Sequence, residues 1–186
     1  MAIKQLLTAE QLWTLPGEPG KRYELVKGEL VEVPGAGGVH GLLVKVLLRL
    51  LDPFALAHGL GEVFADGVGY IIARGPDVVR IPDVSFVARE RVPAGGVPEG
   101  FWPFAPDLAV EIVSPGDRAE EVYGKVREYL GAGTRLVWVV WPRYRAVTAY
   151  TPDGQGREWR GDDELDGGDV LPGFRVRMAE LFAAIP

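Results

Sequence analysis

A mixed β-sheet flanked by helices, an α/β arrangement in a single domain over residues 1–186, is the fold class this sequence predicts. Three observations point to it. Two apolar stripes at helical spacing, one within His40 to His58 and one within Val122 to Leu130, alternate with groups of short strand-like runs. The 25 Gly and 15 Pro cut the chain into many short elements joined by tight turns. Hydrophobic residues make up 47% of the chain, ample for one core and too many for a disordered polymer.

Taken in order, Thr8-Ala9-Glu10-Gln11 has the capping-box pattern. Leu12, Trp13 and Leu15 would form one face of a short helix ended by Pro16-Gly17. Arg22 to Val33 alternates on both sides of Lys27-Gly28, the pattern of a hairpin carrying Glu24, Glu29 and Glu32. A loop opens at Pro34 to Gly38. Leu42, Leu43, Val46, Leu47, Leu50 and Leu51 then mark an amphipathic helix over His40 to His58, which Pro53 kinks or ends. Strands are expected at Gly61 to Ala65, Gly69 to Ala73 and Asp83 to Ala88. Residues 91–106, rich in Pro and Gly, read as a long loop whose Phe101, Trp102 and Phe104 cover a core edge or pack on a partner.

Leu108 to Val113 is a strand with Glu111 amid apolar neighbours, and Ser114-Pro115-Gly116 breaks it. Asp117 is the helix N-cap candidate, Val122, Val126, Tyr129 and Leu130 carry the second helix, and Gly131 and Gly133 end it. Arg135 to Val140 and Ala146 to Thr151 form a hairpin, Glu158 to Arg160 an edge strand, Asp162 to Asp169 an acidic loop, and Met178 to Ala184 a last helix. No repeat, low-complexity tract or domain boundary interrupts this order.

Composition excludes several classes. Without Cys there is no disulfide framework, thiolate zinc site or thiol nucleophile. Ser85 and Ser114 are the only serines and neither sits in a nucleophile elbow. The glycines at 35, 37 and 38 lack the Gly-Lys-Ser/Thr ending of a P-loop. Met1 to Leu12 has no continuous apolar region, and no run approaches the roughly 18 residues of a membrane span, so a soluble cytoplasmic protein is expected. A net charge of −6 argues against indiscriminate nucleic-acid binding but leaves room for a local basic groove or a metal-bridged phosphate contact.

The residues that suggest chemistry are acids and one amine. Asp83 follows Ile81-Pro82 at a strand start, and Glu111 lies 28 positions later in a second strand. Neighbouring carboxylates in a sheet repel, and a divalent cation relieves the conflict. Mg²⁺ takes oxygen ligands and commonly uses one or two carboxylates with waters and a phosphate. Four of the five Lys precede position 46, and Lys125 stands alone afterwards in a stretch that otherwise uses Arg. A compact ammonium able to orient water is not replaced by a guanidinium.

With RYELVKGELVE, His40 opening a helix, IPDVSFV, PDLAVEIVSP and KVREYLGAGTRLVWVV, most of the chain resembles the PD-(D/E)XK nucleases of the restriction-endonuclease-like superfamily. It is most similar to the bacterial Uma-type family of "putative restriction endonucleases". The resemblance implies a restriction-endonuclease-like core, with Asp83 and Glu111 as metal ligands and Glu29 as the early acid. It also implies catalysis by these three with Lys125, which takes the place of the motif lysine because position 113 is Val. A second departure is Trp141-Pro142, where the family usually has Asp-Pro. His40 would contact a phosphate or act in proton transfer.

The implied function is a Mg²⁺- or Mn²⁺-dependent endonuclease hydrolysing DNA phosphodiester bonds. Duplex cleavage needs two such sites, so a homodimer is expected, with Phe101, Trp102 and Phe104 exposed to contribute to it. Plainer readings stand beside each assignment. Asp83 would cap a turn, Glu111 would be salt-bridged or outward-facing, and Lys125 would pair in solvent with Glu121 or Glu128. Glu29 would be a hairpin surface charge, His40 a helix-end surface residue and Asp107 structural. The rival function is a catalytically inactive binding or scaffold protein that keeps the nuclease fold, and a hydrolase of another phosphate ester is a third.

Overall fold

The computed structural model describes residues 6–185. The first five residues of the Met1–Leu12 segment and residue 186 lie outside the described residues. The chain runs α1 (Ala9–Trp13), β1 (Arg22–Val26), β2 (Glu29–Val33), α2 (Gly38–His58), β3 (Gly61–Ala65), β4 (Tyr70–Ala73), β5 (Val78–Arg80) and β6 (Val84–Ala88). It continues through β7 (Leu108–Ile112), α3 (Ala119–Gly131), β8 (Leu136–Trp141), β9 (Ala146–Tyr150), β10 (Gly156–Arg160), β11 (Glu164–Asp166), β12 (Arg175–Arg177) and α4 (Met178–Leu181).

The central six-stranded sheet has the order β10-β9-β8-β7-β6-β3, and a smaller sheet has the order β2-β1-β5-β4. Within the large sheet β7 and β8 are parallel and the remaining neighbours antiparallel, so the sheet is mixed, as expected. α3 is the crossover that joins the parallel pair, the connection such a pair requires. Its stripe of Val122, Val126 and Tyr129 covers Ala109, Val137 and Val139 on one sheet face. Leu43, Leu47, Leu51 and Ala55 of α2 cover Val84, Phe86, Leu108, Val110 and Trp138 on the other. β6 and β7 are buried along their whole length, because α2 covers one face of both while the other lies under α3 at β7 and under Tyr70 and Trp102 at β6, so they read as apolar runs apart from Ser85 and Glu111.

The helix–strand order holds, with several corrections. β5 is only three residues long, too short for a period-two pattern to reveal. The acidic stretch 162–169 contains β11, which pairs with the basic β12. Leu165 and Val176 are buried between them, and Arg175 reaches Asp166 at 2.8 Å. α2 passes through Pro53, because the seam from Leu43 to Ala55 continues across it. Asp117 does not cap α3. Arg118 is the N-cap residue without a side-chain bond, and the Asp117 carboxylate instead accepts the Ser114 N–H at 2.7 Å.

The aromatic loop takes the first of its two expected roles, covering a core edge. Trp102 is fully buried against Phe64, Tyr70 and Phe104, while Phe101 packs edge-on against Trp13. The Trp102 N–H donates to the Gly69 carbonyl and the Ile71 N–H donates to the Trp102 carbonyl, a parallel bridge around Tyr70 that fastens the loop to β4. Phe101, Trp102 and Phe104 are therefore core-edge residues rather than an exposed dimer surface. Among the described residues no helix is long and apolar enough to cross a membrane.

Candidate active site

Where β7 ends, residues 113–117 turn away from the sheet. This loop, the inner face of the β1–β2 hairpin, the N-terminal end of α2 and one flank of α3 enclose a cavity of about 810 Å³. The carboxyl ends of strands, where the chain diverges, are the usual place for ligands in open α/β sheets.

Strand alternation puts Glu111 there. Leu108, Val110 and Ile112 point toward α2, while Ala109 and Glu111 point toward α3. From α3, Lys125 and Tyr129 lie one turn apart and both reach the same carboxylate. Lys125 Nζ donates to Glu111 Oε2 at 2.8 Å, and the buried Tyr129 hydroxyl donates to Oε1 at 2.9 Å. Lys125 therefore pairs with Glu111, not with Glu121 or Glu128 in solvent.

Asp83 sits one residue before β6, where the β6–β7 ladder finishes. Its N–H donates to the Val110 carbonyl at 3.0 Å, and its Oδ2 accepts the Ile112 N–H at 2.6 Å. The carboxylate is thus fixed beside Glu111. Its other oxygen lies 3.0 Å from His40 Nε2, in the first turn of α2. Asp83, Glu111, Lys125 and His40 all line the one cavity.

Glu29 does not. It stands opposite Val26 at the turn end of the hairpin, beyond Val31 and Val33, and is exposed. The hairpin acid that enters is Glu24, buried opposite Val31 on the cavity side. Glu24 accepts from Arg80 at 2.6 Å and from the Ile81 N–H at 2.9 Å, and its Oε1 lies 3.9 Å from Lys125 Nζ. Arg80 in turn grips Glu128 of α3 at 2.6 Å. Sequence reasoning missed Glu24, Arg80, Tyr129 and Glu128. Alternation around the buried Leu25 would have marked Glu24 as facing away from that side chain, but not what lay beyond.

The electrostatics follow from this crowding. Burial pushes the Glu111 carboxyl up to about 7, with Asp83 and Glu24 adding to the rise and Lys125 opposing it. Burial works to lower the Lys125 pKa, but Glu111 and Glu24 outweigh it and hold the ammonium above its usual range. The hydrogen bond to Asp83 raises His40 against the opposing effect of burial, and His40 Nδ1 is buried without a partner. Burial lifts the Tyr129 phenol well above its ordinary value, so it stays a donor to Glu111.

Among the described residues no three His, Asp or Glu side chains stand close enough to form a ready-made metal cage. Mg²⁺ does not need one, since one or two carboxylates suffice when waters and a phosphate complete the shell. The all-oxygen donor set of Asp83 and Glu111 fits such an ion. A cation there would offset both the burial and the neighbouring acids that drive Glu111 upward.

The chain matches the model of the family Uma2, described as "Putative restriction endonuclease", over residues 9–179. Among solved structures it is similar to one described as a "putative nuclease belonging to DUF820" from Anabaena variabilis ATCC 29413. The TM-score is 0.83 at 20% identity, covering 95% of this chain and 98% of that one, which shows a shared fold. No curated protein matches the chain.

Proposed function

The chain belongs to the Uma2 family, and from that premise we propose that it is a Mg²⁺-dependent endonuclease, also served by Mn²⁺, that hydrolyses DNA phosphodiester bonds. The observation that carries this reading is the meeting of Asp83, Glu111 and Lys125 in one cavity at the end of β7.

Asp83 and Glu111 would hold the ion. When bound, it supplies polarisation of the scissile phosphate and acidification of the attacking water. Both carboxylates are already oriented, Asp83 by His40 and the Ile112 N–H, Glu111 by Tyr129. Lys125 stays protonated, donates to the water or phosphate oxygen, and offsets charge that develops there. Reaching Glu111 from the helix, it takes the place left by Val113, the position where the superfamily motif has its lysine. Glu24, rather than Glu29, is the hairpin acid of the site. His40 positions Asp83 through its Nε2.

Cutting both strands of a duplex takes two sites, so the proposal includes a homodimer, read by sedimentation. The direct test is plasmid DNA with Mg²⁺ or Mn²⁺. Wild-type protein should nick and linearise it, and Glu111→Ala should not. Cleavage that survives Glu111→Ala defeats the assignment. The rival, a silent nuclease-fold binding protein, is favoured by Val113 and by the pairing of Lys125 with Glu111 and of Arg80 with Glu24, and predicts no cleavage and weak or no metal binding in wild type.

A further inference from the structure

Lys125 does more than pair with Glu111. Its ammonium lies 2.8 Å from Glu111 Oε2 and 3.9 Å from Glu24 Oε1, in the gap between two buried carboxylates on different elements. Glu24 is held by Arg80 and the Ile81 N–H, and Glu111 by Tyr129, so neither acid is free to swing away. A fixed pair of carboxylates with a positive charge between them is what a hard cation site looks like, and here the chain fills it with its own amine. Asp83 lies on the other side of Glu111, held by His40 and the Ile112 N–H. Each carboxylate oxygen has two lone pairs, so Glu111 can face a cation on both sides.

We propose that Lys125 is a built-in cation occupying the Glu24–Glu111 gap, so that the site takes one divalent ion at Asp83–Glu111 and the ammonium excludes a second. The proposal rests on the metal-dependent reading above. Replacing Lys125 by a neutral side chain leaves Glu111 with only the Tyr129 hydroxyl and Arg80 as the counter-charge beside Glu24, a shortfall of positive charge between two buried acids. A divalent ion with oxygen ligands is the species that satisfies it.

The test is titration of Mn²⁺ into the full chain by calorimetry, with electron paramagnetic resonance to detect spin coupling between neighbouring Mn²⁺ ions. Wild type should bind one equivalent with an uncoupled spectrum. Lys125→Met should bind two, with the broadened spectrum of a close pair. Lys125→Arg, which keeps a charge in the gap, should return to one, and Glu24→Gln with Lys125→Met should also bind one. One equivalent in Lys125→Met, or two in wild type, overturns the inference. No Mn²⁺ bound by wild type instead overturns the metal-dependent reading itself. If Lys125→Met folds only with Mn²⁺, thermal melts should show refolding at two equivalents. Failure to fold at saturating Mn²⁺ counts against the inference, because the ion would then not replace the ammonium.

Discussion

The strand β7 has a buried acid at each end, and the two could hardly be treated more differently. Asp107, just before its first residue, is fully buried, accepts the Ala88 N–H at 2.8 Å and lies 3.0 Å from Arg91 and 3.9 Å from Arg135. Its backbone carbonyl also takes the N–H groups of Arg135 and Leu136. These bonds join β6, β7 and β8 at one end of β7, and Asp107 does not line the cavity that Glu111 faces. Glu111, four residues on, is almost as buried but faces a cavity, and burial there, with Asp83 and Glu24 adding to it, drives its carboxyl up to about 7. Burial of a carboxylate therefore says little about chemistry. What separates a joint from a site is whether its surroundings close around the charge or leave it crowded beside open space.

The comparison breaks most sharply on activity. Asp83→Asn keeps the acceptor for the Ile112 N–H and should leave the melting temperature nearly unchanged, yet plasmid cleavage should fall about a thousandfold. Asp107→Ala should do the reverse. It strands the Ala88 N–H and removes the carboxylate that Arg91 pairs with, lowering stability in denaturant unfolding by about 2–4 kcal/mol, while cleavage per folded molecule is preserved. Equal losses of activity from both would erase the distinction.

A third test sharpens it through pH. The folded Glu111 pKa lies above its ordinary value of 4.5, so between about 4.5 and 7 the native state binds more protons than the unfolded one. Metal-free protein should therefore lose stability from this group as pH rises through that window, opposite in sign to a salt-bridged surface acid. Glu111→Gln should flatten that slope, measured by unfolding at several pH values. The smallest effect is expected from Tyr129→Phe. It removes one donor to ionised Glu111, costing about 1 kcal/mol and moving the activity profile to higher pH.

Much of the fold was legible because period and punctuation are local. The capping box at Thr8, the Lys27-Gly28 turn and the stripe from Val122 to Leu130 each declare an element within a dozen residues. β11 was not legible, since three acid-rich residues become a strand only when Arg175 and Arg177 arrive from elsewhere. The aromatic loop hid its packing likewise, because Trp102 is buried by Tyr70 and Phe64, about thirty and forty positions away.

The candidate site divides along the same line. Sequence alone determined the fold class, the family and which acids and lysine warranted attention, because motif spacing and periodicity travel with the chain. Only the tertiary structure decided that Glu24 rather than Glu29 enters the cavity, that Arg80 and Tyr129 fix the two acids, and that Lys125 fills the gap between them. Those are contacts between residues up to about a hundred positions apart, where distance and desolvation are set by how the sheets and helices pack.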